Sequence, residues 1–100
     1  MQDHNQSQIE ALSAAVAACD NCSTACLQEA DVQAMSRCIT LSRDCADVCA
    51  LTLRLVARNS EYAASLLKEC VQICIACADE CGRHDNVHCQ QCAEACRRCA

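Results

Sequence analysis

Fourteen of the 100 residues are cysteines, and their spacing is regular. From Cys70 to Cys99 each cysteine follows the previous one by three or four positions, except for one step of eight between Cys81 and Cys89. Side chains three or four positions apart lie on one face of an α-helix. Thiolates are soft ligands that select Cu(I), Zn(II) or iron–sulfur clusters. We therefore predict metal binding by all of the cysteines, which are Cys19, Cys22, Cys26, Cys38, Cys45, Cys49, Cys70, Cys74, Cys77, Cys81, Cys89, Cys92, Cys96 and Cys99.

An internal repeat places thiols in four separate segments. Each copy has a cysteine, a small residue, two variable or polar positions and a second cysteine. The copies span Cys22–Cys26, Cys45–Cys49, Cys77–Cys81 and Cys92–Cys96. Small residues beside the thiols let neighbouring helices approach closely, so the repeat predicts four helices that converge on one axis.

The composition favours helices over strands. The chain has one glycine, no proline and a single aromatic residue, whereas sheets and tight turns rely on those residue types. We predict an all-α fold, with residues 1–100 forming one domain: an up-down-up-down four-helix bundle with a cysteine-lined core. The predicted helices cover residues of about 6–30, 32–58, 61–81 and 86–98.

Polar residues and the single glycine mark the predicted helix ends. Asp31 and Ser60 are suited to cap the second and third helices, and Asp85 or Asn86 the fourth. Gly82 is expected to end the third helix in a left-handed conformation. The loops are too short for crossover connections, so successive helices should run antiparallel.

The rise of an α-helix orders the side chains along the bundle. The cysteines expected nearest the end that carries the loops at residues 30–31 and 82–86 are Cys26, Cys38, Cys81 and Cys89. Those expected about 15–25 Å further down are Cys19, Cys49, Cys70 and Cys99. The opposite end is predicted to be lined by apolar residues, namely Ile9, Leu12, Val16, Leu53, Leu55, Val56, Tyr62, Leu66 and Leu67.

Charge and hydropathy exclude two classes of partner. A formal net charge of −5 and one aromatic residue argue against nucleic-acid binding. No apolar run reaches the roughly 20 residues that span a bilayer, so no membrane partner is expected. Residues 1–10 are polar and lack the features of a secretory signal. We therefore expect a cytoplasmic protein, in a compartment that keeps thiols reduced.

The helical setting of the thiols favours Cu(I) among the soft metals. Structural zinc takes four tetrahedral ligands, commonly from turns that fold a cysteine pair around the ion. Cu(I) needs only two or three thiolates, and each sulfur can bridge two ions, so stacked pairs suit many Cu(I) ions, very roughly one per cysteine. Iron–sulfur clusters usually use loop cysteines, often followed by proline, and this chain has no proline.

Other roles for the cysteines are weighed against metal binding. Free cysteine packs as a small apolar residue, which explains a few such positions and not fourteen. A disulfide scaffold is an alternative, although a bridge between adjacent helical turns closes a very short loop. Catalytic thiols are usually few and lie in electropositive, partly exposed pockets, so we expect no enzymatic activity. A zinc-buffering or thiol-redox protein is the alternative function.

Three residues that are not cysteines are candidate ligands at the loop end of the bundle. His84 and His88 flank the last loop, and Met35 lies near the start of the second helix. Imidazole and thioether groups can bind Cu(I) and pass it to the cysteines below. Solvation of the histidines and simple core packing of Met35 are the alternatives.

Three segments together resemble the bacterial four-helix-bundle copper storage proteins. They are Cys45-Ala-Asp-Val-Cys49, Cys77-Ala-Asp-Glu-Cys81 and His88-Cys89-Gln-Gln-Cys92-Ala-Glu-Ala-Cys96-Arg-Arg-Cys99. The resemblance covers essentially the whole chain and is closest to the cytosolic members. It implies Cu(I) held along the core by thiolates from all four helices, metal uptake at an end that bears His and Met, and homotetramers of bundles. This chain has fewer cysteines than the richest members, with Ser42 and Thr52 at inward positions.

We therefore expect a protein that stores or sequesters several Cu(I) ions inside its core. Copper ions are its expected ligands and copies of itself its expected protein partners. The apo-protein should already be helical because protonated thiols pack as apolar groups, and metal loading should displace protons.

Overall fold

The computed structural model describes residues 3–100, with side chains from residue 5 onward. It contains four α-helices: α1 (Asp3–Cys26), α2 (Ser36–Ala57), α3 (Ala63–Cys81) and α4 (Val87–Cys99). A 3₁₀ turn, Gln33–Met35, precedes α2. Each helix packs against its neighbours in sequence, and α4 returns to pack against α1. The predicted all-α four-helix bundle is confirmed, with overall dimensions of 44 × 19 × 18 Å.

The first connection is longer than predicted. Helix α1 ends at Cys26, four residues before the predicted end. The N–H groups that follow donate to carbonyls three residues back instead of four, as the Glu29 N–H does to Cys26 O (3.2 Å). Asp31 caps the 3₁₀ turn rather than α2, since its Oδ1 accepts a hydrogen bond from the Ala34 N–H (3.2 Å). Residues 27–35 therefore form a compact connection above the helices, and this connection supplies Glu29 to the site described below.

The predicted break at residues 59–60 is a Schellman motif. Asn59 has a φ of 54°, in the left-handed region that Asn tolerates. The Ser60 N–H donates to Leu55 O (2.9 Å) and the Asn59 N–H to Val56 O (3.1 Å), which satisfies the last carbonyls of α2. The Ser60 hydroxyl then accepts a hydrogen bond from the Tyr62 N–H just before α3 (3.1 Å).

The prediction for Gly82 was wrong. Its φ is −64°, a right-handed conformation open to any residue. Close packing explains the glycine instead, because a Cβ there would lie 2.9 Å from Ala78 O and 2.9 Å from Arg97 Nη2. At the start of α4, Asn86 occupies the cap position without a side-chain hydrogen bond to the helix.

The core divides into a thiol region and an aliphatic end. Thirteen cysteines are buried and Cys99 is partly exposed. Leu12, Leu55 and Val56 are buried at the aliphatic end. Tyr62, which was predicted to line this end, is 63% exposed because it lies in the turn before α3 rather than inside it.

The small residues of the repeat lie between helices. Each follows the first cysteine of its copy, and each is at most 5% exposed: Ser23, Ala46, Ala78 and Ala93. Because these side chains are small, the helices can approach closely and the thiols of adjacent helices can meet.

Replacing one of these small residues should destabilise the bundle. We expect Ala93→Leu to lower the free energy of unfolding by about 1–3 kcal/mol, because extra methylenes in a filled core force neighbouring side chains apart. Urea denaturation of the apo-protein followed by circular dichroism measures this. Ala57→Leu, at an exposed position on α2, is the matched control and should change stability little; equal stability of both variants would contradict the packing argument.

Candidate metal centre

The thiols of all four helices converge on one axis. Cys19, Cys45, Cys77 and Cys96 come from α1, α2, α3 and α4 respectively, and their sulfurs lie within 4.8 Å of one another. Three further groups meet the same limit: Cys22 with Cys26, Cys38 and Cys89; Cys22 with Cys81 and Cys92; and Cys45 with Cys49 and Cys74. Because Cys22 and Cys45 each belong to two groups, neighbouring groups share a sulfur.

Short contacts join the groups into a continuous thiol column, by which we mean the thirteen buried cysteines. The Cys38 and Cys81 sulfurs are 3.2 Å apart near the loop end. In the middle, Cys19 Sγ lies 3.5 Å from Cys96 Sγ. Towards the aliphatic end, Cys49 Sγ lies 3.5 Å from Cys70 Sγ. All fourteen cysteines are free thiols. The column therefore presents sulfur without interruption over much of the bundle.

In three of the four copies of the repeat, the two cysteines lie side by side, as their spacing predicted. The Sγ–Sγ distance is 3.8 Å for Cys22 and Cys26, for Cys45 and Cys49, and for Cys77 and Cys81. Each pair also contacts sulfurs on other helices, so no pair forms an isolated two-ligand site.

Two hydroxyl groups stand among the thiols. Ser42 is fully buried, and its Oγ lies 3.5 Å from Cys81 Sγ and 3.8 Å from both Cys77 Sγ and Cys92 Sγ. Thr52 is also fully buried, and its hydroxyl donates to Val48 O (2.7 Å). The hydroxyl of Ser42 occupies a ligand position with a group that binds soft Cu(I) more weakly than a thiolate does.

The buried sulfurs influence one another's protonation. Burial, together with the nearby Cys26 sulfur, raises the pKa of Cys89 from 9.0 to about 12. The hydrogen bond between Cys22 and Cys38 is the main cause that raises the pKa of Cys22. The pKa of Cys74 is lowered because the Cys45 and Cys49 thiols can donate hydrogen bonds to its thiolate. Protonated thiols such as Cys22 and Cys89 must lose protons before they bind metal.

His88 closes the loop end of the column. Its Nδ1 lies 3.5 Å from Cys89 Sγ, 3.6 Å from Cys22 Sγ and 3.8 Å from Cys26 Sγ. Its Nε2 lies 3.0 Å from Glu29 Oε2. A carboxylate only accepts hydrogen bonds, so Nε2 carries the hydrogen that Glu29 accepts, and Nδ1 faces the three sulfurs.

His84 has different partners. Its Nε2 lies 2.9 Å from Glu80 Oε2, and Glu80 Oε1 lies 3.6 Å from both Arg37 and Arg83. Within residues 5–100, no hydrogen bond joins His84 to a thiol. Met35 is buried, 5% exposed, and packs in the core cluster one turn before Cys38. The structure thus brings His88 to the thiols, keeps Met35 in the same core and holds His84 in a separate ion-pair network.

Sequence reasoning missed Glu29 and Glu80. The spacing of four positions between Glu80, in the last turn of α3, and His84, in the turn that follows α3, was a detectable signal for their contact. The contact between Glu29 and His88 spans 59 positions. It depends on the turn that ends α1 early, for which the sequence pattern offered no indication.

An all-α bundle with shared thiol groups in its core defines a class of protein that can bind several soft metal ions internally. Residues 1–100 match the sequence profile of the copper storage protein family, Csp. The chain belongs to this family, which confirms the predicted resemblance.

Individual relatives resemble the chain over most of its length. It is 42% identical over 100 residues to the uncharacterized cysteine-rich protein YhjQ of Bacillus subtilis, covering all of this chain and 93% of that protein. The structure of the Cu(I)-bound copper storage protein BsCsp3 is 42% identical, with a TM-score of 0.93 and coverage of 98% and 92% of the two chains. A cytosolic copper storage protein of Streptomyces lividans, solved with five coppers, is 40% identical, with a TM-score of 0.90 and coverage of 95% and 84%.

None of the helices formed by residues 3–100 has both the length and the apolar character needed to cross a membrane.

The raised pKa of Cys89 predicts that this thiol contributes a loss of apo-protein stability in alkali. Below pH 9 the Cys89 thiol is protonated in both folded and unfolded chains; between pH 9 and 12 only the unfolded chain releases the proton, so stability falls as pH rises. For each such thiol, the free energy of unfolding falls by at most about 1.4 kcal/mol per pH unit. Urea denaturation at pH 8, 10 and 11 under anaerobic reducing conditions measures it. Cys89→Ser should have a shallower slope, and an unchanged slope would contradict the assignment.

Proposed function

We propose that this protein stores Cu(I), binding several ions through the thiolates of the column. The main support for this proposal is that Cys22 and Cys45 each belong to two thiol groups. Shared sulfurs are suited to bridge adjacent Cu(I) ions, whereas separate mononuclear sites would each need their own ligands. All fourteen cysteines are the proposed ligands, with Cys99 at the margin of the column.

Charge balance favours Cu(I) over Zn(II) in this core. One Cu(I) for each thiolate leaves no net charge in the bundle interior, whereas Zn(II) held by four thiolates leaves two negative charges. Uncompensated charge is costly at low dielectric. The group of Cys19, Cys45, Cys77 and Cys96 does offer four thiols, so zinc buffering is the second candidate function, along with a thiol-redox role for the same sulfurs.

An enzymatic role is not proposed. Thirteen of the cysteines are buried, and most of the groups beside them are other thiols, alanines and hydroxyls, with the His88 imidazole at the loop end. Reactive catalytic thiols instead require an exposed, electropositive setting. We propose a cytosolic location, supported by the cytosolic Streptomyces lividans relative.

A homotetramer of bundles is proposed from the family resemblance. Exposed apolar side chains on the outer faces of the helices supply surface that such an assembly could bury. Leu51 on α2 is 44% exposed and Ile75 on α3 is 43% exposed.

Storage predicts a high metal capacity. An anaerobic titration with Cu(I) against a chromophoric Cu(I) chelator should reach its endpoint far above two equivalents, approaching one ion for each cysteine. Proton release, measured in weakly buffered solution, should accompany loading. Saturation at one or two equivalents would instead indicate a copper chaperone, and stoichiometric zinc that copper does not displace would favour zinc buffering.

His88 is the proposed first ligand for incoming copper, and Glu29 orients it. With Nε2–H donated to Glu29, the Nδ1 lone pair is available to an ion approaching Cys22, Cys26 and Cys89. Such outer partners fix the tautomer of a ligating histidine. Met35 is proposed as a supporting thioether ligand. His84, predicted for the same role, is bound to Glu80, so its contribution is proposed to be smaller.

Removing the orienting carboxylate should slow copper uptake without changing capacity. We expect His88→Ala and Glu29→Ala each to slow stopped-flow Cu(I) uptake by about tenfold, within the range reported for such outer partners. Glu29→Gln should retain most of the rate because its amide oxygen can still accept the Nε2 hydrogen. Ring ¹⁵N chemical shifts of His88 should reveal a mixed tautomer in Glu29→Ala only.

His84→Ala is the matched control at the other histidine and should have the smaller effect. Equal uptake rates in the wild-type, His88→Ala and Glu29→Ala proteins would rule out this route.

A further inference from the structure

The partly exposed thiol lies at the opposite end of the column from His88. Cys26, Cys38, Cys81 and Cys89, at the loop end, are all 0% exposed. Cys99 is the one cysteine that is not fully buried. Access to sulfur in this conformation is therefore easiest near the aliphatic end.

Cys99 lies in a groove between α1, α3 and α4. The groove has a volume of about 330 Å³ and is lined by Leu12 and Ala11 of α1, Leu67 and Cys70 of α3, and Arg98 and Cys99 of α4. This is enough room for a small thiol compound. The floor of the groove is mostly apolar, and the Arg98 guanidinium supplies a positive charge to the groove that Cys99 also lines. The Cys99 thiol donates to Ala11 O (3.0 Å).

The groove connects directly to the column. Cys70, in its wall, is 2% exposed and lies 3.5 Å from Cys49 Sγ. Cys49 in turn lies 3.7 Å from Cys74 Sγ and 3.8 Å from Cys45 Sγ. An ion at Cys99 or Cys70 thus needs only steps between adjacent sulfurs to reach the interior.

Arg98 is available to a ligand. Within residues 5–100 no carboxylate is paired with it. Its neighbour Arg97 faces away from the groove and packs on Gly82. An anion that enters the groove would therefore meet Arg98 and not Arg97.

We infer that this groove is a second exchange port for Cu(I), at which a small thiol that also bears a carboxylate docks with its carboxylate on Arg98 and its sulfur beside Cys99. The inference rests on the proposed storage of Cu(I). The step is a ligand substitution without electron transfer. The incoming thiol loses its proton as its sulfur bonds to Cu(I), the bond from Cu(I) to Cys99 breaks, and the Cys99 sulfur takes up a proton.

Limited alkylation of the apo-protein tests access without copper. At pH 9 under native conditions, mass spectrometry should find Cys99 modified by iodoacetamide before any other cysteine. Ser7→Trp, which fills the groove from its rim while keeping every thiol, should slow that modification. If Cys99 reacts no faster than the buried thiols, the groove does not admit small molecules and the inference fails, whatever the copper capacity.

The anionic reagent iodoacetate tests the role of Arg98. The measured quantity is the rate of Cys99 modification by iodoacetate divided by the rate with neutral iodoacetamide. This ratio should fall about two- to fivefold in Arg98→Ala, as expected for the loss of an exposed charge pair. Arg97→Ala is the charge-matched control and should leave the ratio unchanged. Equal ratios in the two variants would contradict a carboxylate site at Arg98.

Copper removal tests exchange itself. Glutathione, a thiol with carboxylates, should remove Cu(I) from the loaded wild-type protein several times faster than from Cys99→Ser or Ser7→Trp. If the two ends act independently, the effect of His88→Ala on the rate of copper removal should add to the effect of either groove variant. Rapid alkylation of Cys99 with unchanged copper removal in both groove variants would show that the groove is open but is not an exchange port.

Discussion

The structure depends on one constraint: the same sulfur atoms must form the apolar core of the empty protein and the ligand set of the loaded one. A protonated thiol packs like a small hydrocarbon group, so the bundle can bury thirteen cysteines before any metal arrives. Loading replaces each thiol proton with a share of a Cu(I) ion, so the interior stays close to neutral. The helices can therefore keep the same arrangement in the empty and the loaded protein.

Small residues set the spacing of the helices around this core, and a hydroxyl group replaces a thiol at one position within it. Ala46, Ala78 and Ala93 are almost fully buried beside cysteines, and their size brings sulfurs on different helices within 4 Å of each other. Ser42 keeps its hydroxyl within reach of three sulfurs. Because oxygen is a harder ligand than sulfur, we expect the column to hold copper less firmly beside Ser42.

The two ends of the column differ in chemistry. At the loop end, an oriented imidazole covers sulfurs that have no solvent exposure, and Glu29 holds that imidazole from a connection outside the helices. At the other end, Cys99 lies in a groove that Arg98 also lines. Under the proposed roles of His88 and Cys99, an ion meets a nitrogen ligand at one end and an exchangeable thiol at the other, so we expect the two ends to favour different copper donors and acceptors.

The sequence by itself determined the helical class, the four thiol-bearing helices and the facing of the cysteines, because steps of three and four residues leave no other periodic structure available. It also determined the family resemblance and the side-by-side cysteine pairs. Only the tertiary structure decided which sulfurs form groups, since these involve contacts such as Cys19 with Cys96, 77 positions apart. It likewise decided that a side chain at Gly82 would lie too close to Ala78 O and that Glu29 reaches His88. Local periodicity carries no information about such distant pairs, which depend on how the helices and their connections meet in space.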